Sequence, residues 1–361
     1  MTHVFIAPHP DDAALSCGGL IAGLRDLGQT VTIITVYSGG QRSAGSGLSE
    51  YQRAALGFGS KANWPVGEAF RRTNIESDVP VMAGVDAAGA APPWAADPER
   101  IGLTKERANT QARQFWQRAS WTRSANITNQ ETDQRPLADS VGGQGSFEEI
   151  DYSSDDVAEM RRAEDERYAW FMEASVVQLD LPDAVYRGYE SDDELLGRPR
   201  EDDEAPYRLL RQEILRLEPQ MVYFPLAVGN HVDHQLCRDV GLAMLGEGRR
   251  WVMPPPDFAN RTTFYEDFPY AWWRDFSGPA DLPGGGLDLP AGLDIEARYS
   301  DISETLERKA AGLRMYASQI QRLFSSDQGM LDDLAGYHAR LALAGGVGSN
   351  AAERYWSVVR P

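Results

Sequence analysis

The chain has 361 residues and a formal net charge of −19, with 54 acidic against 35 basic side chains, which argues against partners held by phosphate backbones or anionic membrane surfaces. Its length allows one large domain or two smaller ones, and 42% hydrophobic residues suffice for a sizeable core. The two cysteines, Cys17 and Cys237, cannot form a disulfide framework, and neither a signal-peptide pattern nor an apolar run near the ~18 residues of a membrane span is present, so the expectation is a cytoplasmic protein without nucleic-acid or membrane partners.

Residues 3–7 (HVFIA) read as a buried strand. Residues 13–27 (AALSCGGLIAGLRDL) predict a helix, because Leu15, Leu20, Ile21, Leu24 and Leu27 fall near helical spacing and Gly28 ends it. Residues 30–37 (TVTIITVY) predict a second buried strand, and the strand–helix–strand unit implies a right-handed crossover. From 41 to 155 sustained periodicity is lost in a segment rich in Gly, Ala, Ser, Asn, Gln and Pro. A helix fits at 104–120, and Trp94, Trp116 and Trp121 suit local anchors. So long a stretch reads as a large insertion after the second strand, part cap and part loop. A helix over 155–174, a strand at 176–181, a helix over 203–219, a strand at 221–225 (MVYFP) and a helix over 234–247 follow. Residues 254–300 suit an irregular, aromatic-rich wall, and 302–324 predicts one long helix. The alternation predicts a single α/β domain over 1–361: a Rossmann-like open, mostly parallel sheet flanked by helices.

The chemistry-bearing residues cluster where the first and the 221–225 strands end. His9-Pro10-Asp11-Asp12 links the first strand to its helix; Pro10 disfavours a helical backbone at His9. Two readings compete there. Asp11 or Asp12 would cap the helix and suit its dipole, or the aspartates and the imidazole would hold a dication that relieves their mutual repulsion. His231-Val232-Asp233-His234 follows the 221–225 strand, so three of the five histidines lie just past predicted strands, each within three residues of an aspartate. Sites in open α/β sheets form beyond the carboxyl ends of strands. His9, Asp11, Asp12, His231, Asp233 and His234 exceed the three protein ligands a catalytic zinc needs. The surplus would serve as base, acid and orienting group for water attack.

HPDD after the first strand, a later HxDH, Arg161-x-x-Glu164 and Lys309 followed by Tyr316-Ala317-Ser318-Gln319 together resemble the LmbE/PIG-L family of zinc-dependent de-N-acetylases. The resemblance covers about residues 2–40 and 156–324 and leaves out the insertion. It implies hydrolysis of the acetamide of an N-acetylglucosamine-type sugar or conjugate, with Zn2+ or another divalent metal such as Fe2+ as cofactor and a homo-oligomer as a compatible state. It matches His9, Asp12 and His234 to the metal ligands and Asp11 to the general base. His231 matches the group that stabilises the oxyanion or protonates the leaving amine, with Asp233 holding His231 in its working tautomer. Arg161 and Asp183 fall where relatives bind sugar hydroxyls.

Two positions depart from the family pattern. Ala13 follows HPDD where a glutamate is usual, and Gly229 stands two residues before HVDH where some members carry a tyrosine. Any tyrosine assisting the oxyanion here has to come from elsewhere, for example 254–300. The lost glutamate keeps open a non-catalytic carbohydrate- or metal-binding relative. A nucleotide-binding turn is disfavoured, because Gly18-Gly19 falls inside the first helix rather than in a phosphate loop.

Overall fold

Five parallel strands spread to both sides of the N-terminal one. The computed structural model describes residues 1–40, 48–56, 154–246, 257–282, 286–287, 289–324 and 326–359; the sequence-predicted helix at 104–120 and most of the 41–155 insertion lie outside them. In chain order the strands are β1 (Thr2–Ala7), β2 (Thr30–Thr35), β3 (Ser175–Gln178), β4 (Met221–Pro225), β5 (Thr262–Tyr265), β6 (Asp294–Asp301) and β7 (Ala352–Val359). The helices are α1 (Asp12–Asp26), α2 (Glu50–Ala55), α3 (Ser154–Phe171), α4 (Asp192–Leu195), α5 (Tyr207–Leu217), α6 (Val232–Leu245), α7 (Tyr270–Trp273), α8 (Leu306–Leu313), α9 (Ala317–Phe324) and α10 (Asp327–Gly345). Among the described residues no helix is long and apolar enough to cross a membrane.

The sheet order is β3-β2-β1-β4-β5-β7-β6, parallel from β3 through β5 and antiparallel at β5–β7 and β7–β6. Phe5 pairs with Ile33 on one side and Tyr223 on the other. Central strands of such a sheet are covered on both faces, so they read as continuous apolar runs: Val4, Phe5, Ile6, Ile34, Val222 and Phe224 are all inaccessible to solvent. Phe5 stacks on Tyr223 with ring centroids 4.2 Å apart. The Gly18-Gly19 pair lies within α1 and lets α1 approach its neighbours. A Cβ at Gly18 would lie 2.8 Å from Lys309 Cγ, and one at Gly19 2.6 Å from Ile302 Cγ2.

The C-terminal part departs from the sequence expectation. The 254–300 segment supplies the interior strand β5 and the edge strand β6, as well as irregular wall. The helix expected over 302–324 is two helices, because Tyr316 and Ser318 at the break are drawn to α3: Tyr316 OH donates to Asp165 Oδ1 (2.8 Å), and Ser318 donates N–H and O–H to the two oxygens of Glu164 (2.9 and 2.6 Å). α10 and β7 were not anticipated, and within 41–155 the short helix α2 packs with Leu48, Ala55 and Leu56 against Val157, Val185 and Leu195. α6 starts two residues before its expected position, which puts Asp233 and His234 on its first turn.

Candidate active site

The strand order reverses between β1 and β4, since β2 and β3 lie on one side of β1 while β4 and β5 lie on the other. The loops leaving β1 and β4 therefore flank the same crevice, the place where ligands bind in open α/β sheets. One pocket there is lined by His9, Asp11, Asp12, Arg161, Asp183, His231 and His234, seven of the eight site residues expected from sequence. Leu15, Ala55, Leu56, Val185, Leu195, Tyr270, Arg322 and Leu323 complete most of its wall. Asp233, the eighth, is fully buried beneath it.

Asp12 does not cap α1. Its Oδ2 accepts the His9 backbone N–H (2.8 Å) and stands 3.3 Å from His9 Nδ1 and 3.4 Å from His234 Nε2. Donors at zinc distances from a shared tetrahedral centre are about 3.3–3.4 Å apart. The far nitrogen of each ring meets a carboxylate: His9 Nε2 pairs with Asp233 Oδ2 (2.9 Å) and His234 Nδ1 with Asp267 Oδ1 (2.6 Å). A carboxylate behind each imidazole fixes the ring and leaves the near nitrogen to a metal. Among the described residues, the groups whose ligand atoms all lie within 4.8 Å of one another are His9–His231–His234 and His9–Asp183–Asp233. His231 thus approaches both other rings, and Asp12 is in neither group, but its Oδ2 stands close to one nitrogen of His9 and one of His234, at 3.3 and 3.4 Å. Asp233 Oδ2 is also engaged by Ala184 N–H (3.0 Å) and lies on the far side of His9.

The electrostatics of the site favour added positive charge. Burial disfavours protonated His9, yet Asp183, Asp12 and Asp233 overcome it and push the imidazole up to about 10. His234 is raised as well, its burial outweighed by Asp12 and Asp267. Protons thus gather on rings that would be neutral as metal ligands, as expected where buried carboxylates converge on a cation-binding point.

Asp11 makes no side-chain capping bond among the described residues, and its backbone is held at φ 108°, a region costly for a non-glycine residue. Its carboxyl is raised to about 7 by burial and by Asp12, against the pull of Arg161, whose Nη2 is 3.9 Å away. Arg161 on α3 also reaches Asp183 Oδ2 (3.5 Å) and donates to Pro10 O (3.3 Å). Asp183 caps the 3-10 turn Ala184–Tyr186 by accepting Val185 N–H, and His9 and Arg161 hold it below the usual carboxylate range despite burial.

Asp233 was expected to orient His231 through its carboxylate. Instead its backbone N–H donates to His231 Nδ1 (3.2 Å), while its carboxylate serves His9, Ala184 and Arg187. The helix start explains this: His231 is the N-cap of α6, so its ring takes an otherwise unpaired amide of the first turn. Burial and the neighbouring His9 drive the His231 pKa far down, and an Nδ1 that accepts an amide proton leaves Nε2 as the donor of the neutral ring.

Sequence reasoning missed Arg187, Asp267, Tyr270 and Arg322. Asp267 stands two residues past β5 and also accepts Val228 N–H (2.9 Å), repeating the strand-then-acid pattern of β1 and β4. That signal was legible once Thr262–Tyr265 was recognised as a strand. Glu164 and Ser318 serve as anchors, since Glu164 binds the first turn of α9, which carries Arg322 and Leu323 to the pocket. Lys309, fully buried, pairs with Glu353 (2.7 Å) and holds α8 to β7.

Comparison with known proteins matches this chain to the family model PIG-L: GlcNAc-PI de-N-acetylase over residues 4–74 and 125–245, more than half of its length. A 2'-N-acetylparomamine deacetylase of Streptomyces fradiae is 33% identical over 167 residues, 45% of this chain and 54% of that protein. The chain thus spans about half the length of that curated relative. In fold it resembles the zinc-inhibited form of teicoplanin deacetylase Orf2, with a TM-score of 0.56 and 18% identity over 100% of this chain and 99% of that one. It likewise resembles the A40926 pseudoaglycone deacetylase Dbv21, with a TM-score of 0.54 and 20% identity over 99% and 97% of the two chains. With both strand-end motifs inside the matched segments, the chain belongs to the PIG-L family of GlcNAc-PI de-N-acetylases.

Proposed function

We propose that this chain is a metal-dependent amidohydrolase that removes the acetyl group from an N-acetylglucosamine-type sugar or conjugate. The observation that carries the reading is Asp12 Oδ2 standing between His9 Nδ1 and His234 Nε2, each ring backed by its own carboxylate. His9, Asp12 and His234 would hold the ion, and the nitrogen-rich set suits Zn2+, with Fe2+ as an alternative. When bound, the ion supplies polarisation of the amide carbonyl and a lowered pKa for water at the site.

The chain's own residues do the rest. Asp11, poised in the pocket beside Asp12, accepts the proton of the attacking water. As the carbonyl carbon becomes tetrahedral, its oxygen gains charge, and the neutral His231 donates from Nε2 to that oxygen. Asp11 then returns its proton to the nitrogen as the C–N bond breaks, releasing acetate and a primary amine. Arg161 and Asp183, on the same wall, offer a donor and an acceptor to the sugar hydroxyls. The 2'-N-acetylparomamine deacetylase supports an acetylated aminosugar as substrate.

The test joins elemental analysis of the purified protein to an amine-release screen over N-acetylglucosaminyl conjugates and acetylated aminoglycosides. Bound divalent metal with metal-dependent amine release is expected. A metal-loaded protein that releases no amine from any of them would favour a binding role instead.

A further inference from the structure

The carboxylate that holds His9 is itself held from behind. Asp233 is fully buried, and its Oδ2 is occupied by His9 Nε2 and Ala184 N–H. Its Oδ1 accepts from Arg187 Nη2 at 2.5 Å. Arg187 lines a separate groove on the outer side, together with Tyr37, Pro182, Asp203 and Tyr207, and does not line the site pocket. Its guanidinium is fixed on every edge. Nε and Nη2 grip Asp203 (2.8–3.2 Å), Nη1 donates to Pro182 O (2.7 Å), and the plane lies over the Tyr37 ring with Cζ 4.7 Å from its centroid.

We propose that Arg187 is a positioning residue for His9, acting through Asp233. This rests on the metal-centre reading above. A buried carboxylate that loses its charged partner is costly to keep in place and turns toward another donor. Turned away, Asp233 would lose its grip on His9 Nε2, and the ring would no longer be held with Nδ1 toward Asp12. The planar fork lets one side chain grip Asp203 and Asp233 while stacking on Tyr37, and a lysine cannot do all three. The outer groove is thereby linked to the His9 ring through two side chains that do not line the site pocket.

The experiment is a double-mutant cycle on the full chain, with Arg187→Met, Asp233→Asn and the double variant. The readouts are the Zn2+ dissociation constant, by competition with a fluorescent chelator, and the visible absorption of Co2+-loaded protein. Arg187→Met is expected to weaken Zn2+ binding about 10- to 100-fold, the range found for groups that orient ligands, and to shift the Co2+ bands. In the Asp233→Asn background the same change is expected to have little further effect, because the route is already cut. Zn2+ affinity unchanged in Arg187→Met, or an equal loss in both backgrounds, overturns the proposal. If Arg187→Met does not fold, Arg187→Lys carries the same cycle, with a smaller loss expected. A wild type that binds no Zn2+ overturns the metal reading itself, and this inference with it.

Discussion

The ring of Tyr270 occupies the space that a side chain at Gly229 would need: a Cβ there would lie 2.3 Å from Tyr270 Cγ and 2.6 Å from both Cδ atoms. The phenol lines the pocket and meets the His234 ring edge-on, with centroids 5.9 Å apart. At the position where the family resemblance leads one to look for a tyrosine, this chain has Gly229, and the ring that reaches the spot comes from another segment. Gly229→Ala is expected to destabilise the fold by about 1–3 kcal/mol through overpacking. In a Tyr270→Ala background the same substitution should cost much less, since its obstacle is gone. Thermal denaturation of the two single variants and the double variant decides it; strictly additive effects would contradict the interlock.

The proposed function gives the neighbours Asp11 and Asp12 different roles, base and metal ligand. Asp11→Asn should keep its metal and lose about 10²- to 10⁴-fold in turnover, the usual contribution of a positioned general base. Metal content by elemental analysis and amine release on the same preparation check both halves. An emptied site would show that the two aspartates had been assigned the wrong way round.

Asp267 orients His234 through a 2.6 Å bond to Nδ1. Asp267→Ala is expected to weaken metal binding about 10- to 100-fold. Chelator competition measures it, and Zn2+ affinity equal to wild type would remove Asp267 from the metal centre.

Asp165, almost wholly inaccessible, accepts bonds from Thr35 Oγ1 (2.5 Å) and Tyr316 OH (2.8 Å), yet burial outweighs them and raises its carboxyl to about 6. In the unfolded chain the group releases its proton near 3.8, and in the fold it keeps the proton until about 6. The folded state therefore binds more protons between those values. This group's contribution to stability falls as pH rises through that window, by about 3 kcal/mol in all. Asp165→Asn does not titrate. The stability difference between wild type and variant should shift against the wild type by that amount from about pH 4 to about pH 7. Urea denaturation across the range tests this; parallel pH profiles would refute it.

Much of the site was legible because its signals are local. β1, β2 and β4 are short apolar runs ended by polar loops, and HPDD and HVDH each sit within a few residues of a strand end. What each carboxylate touches was not legible. The sequence neighbour of His231 is Asp233, and proximity along the chain suggested that one serves the other. In the fold α6 begins at Val232, so the Asp233 side chain points to His9, 224 positions away, and only its amide meets His231.

The C-terminal third shows the same limit. The Thr262–Tyr265 run is only four residues long, and β7 carries Glu353 and Arg354 into the interior, where Lys309 and Glu266 pair with them. A charged residue reads as exposed until its partner is known.

By itself the sequence determined which residue types stand at the ends of β1 and β4, and hence the kind of chemistry available. Periodicity and turn signals act over a few residues and survive without the rest of the chain. Only the tertiary structure decided that the two strands are adjacent at the sheet's reversal, that Asp12 faces both histidines, that Asp267 backs His234 and Arg187 stands behind Asp233, and that Tyr270 fills the space over Gly229. Those relations join residues far apart in the chain, and packing rather than local propensity selects them.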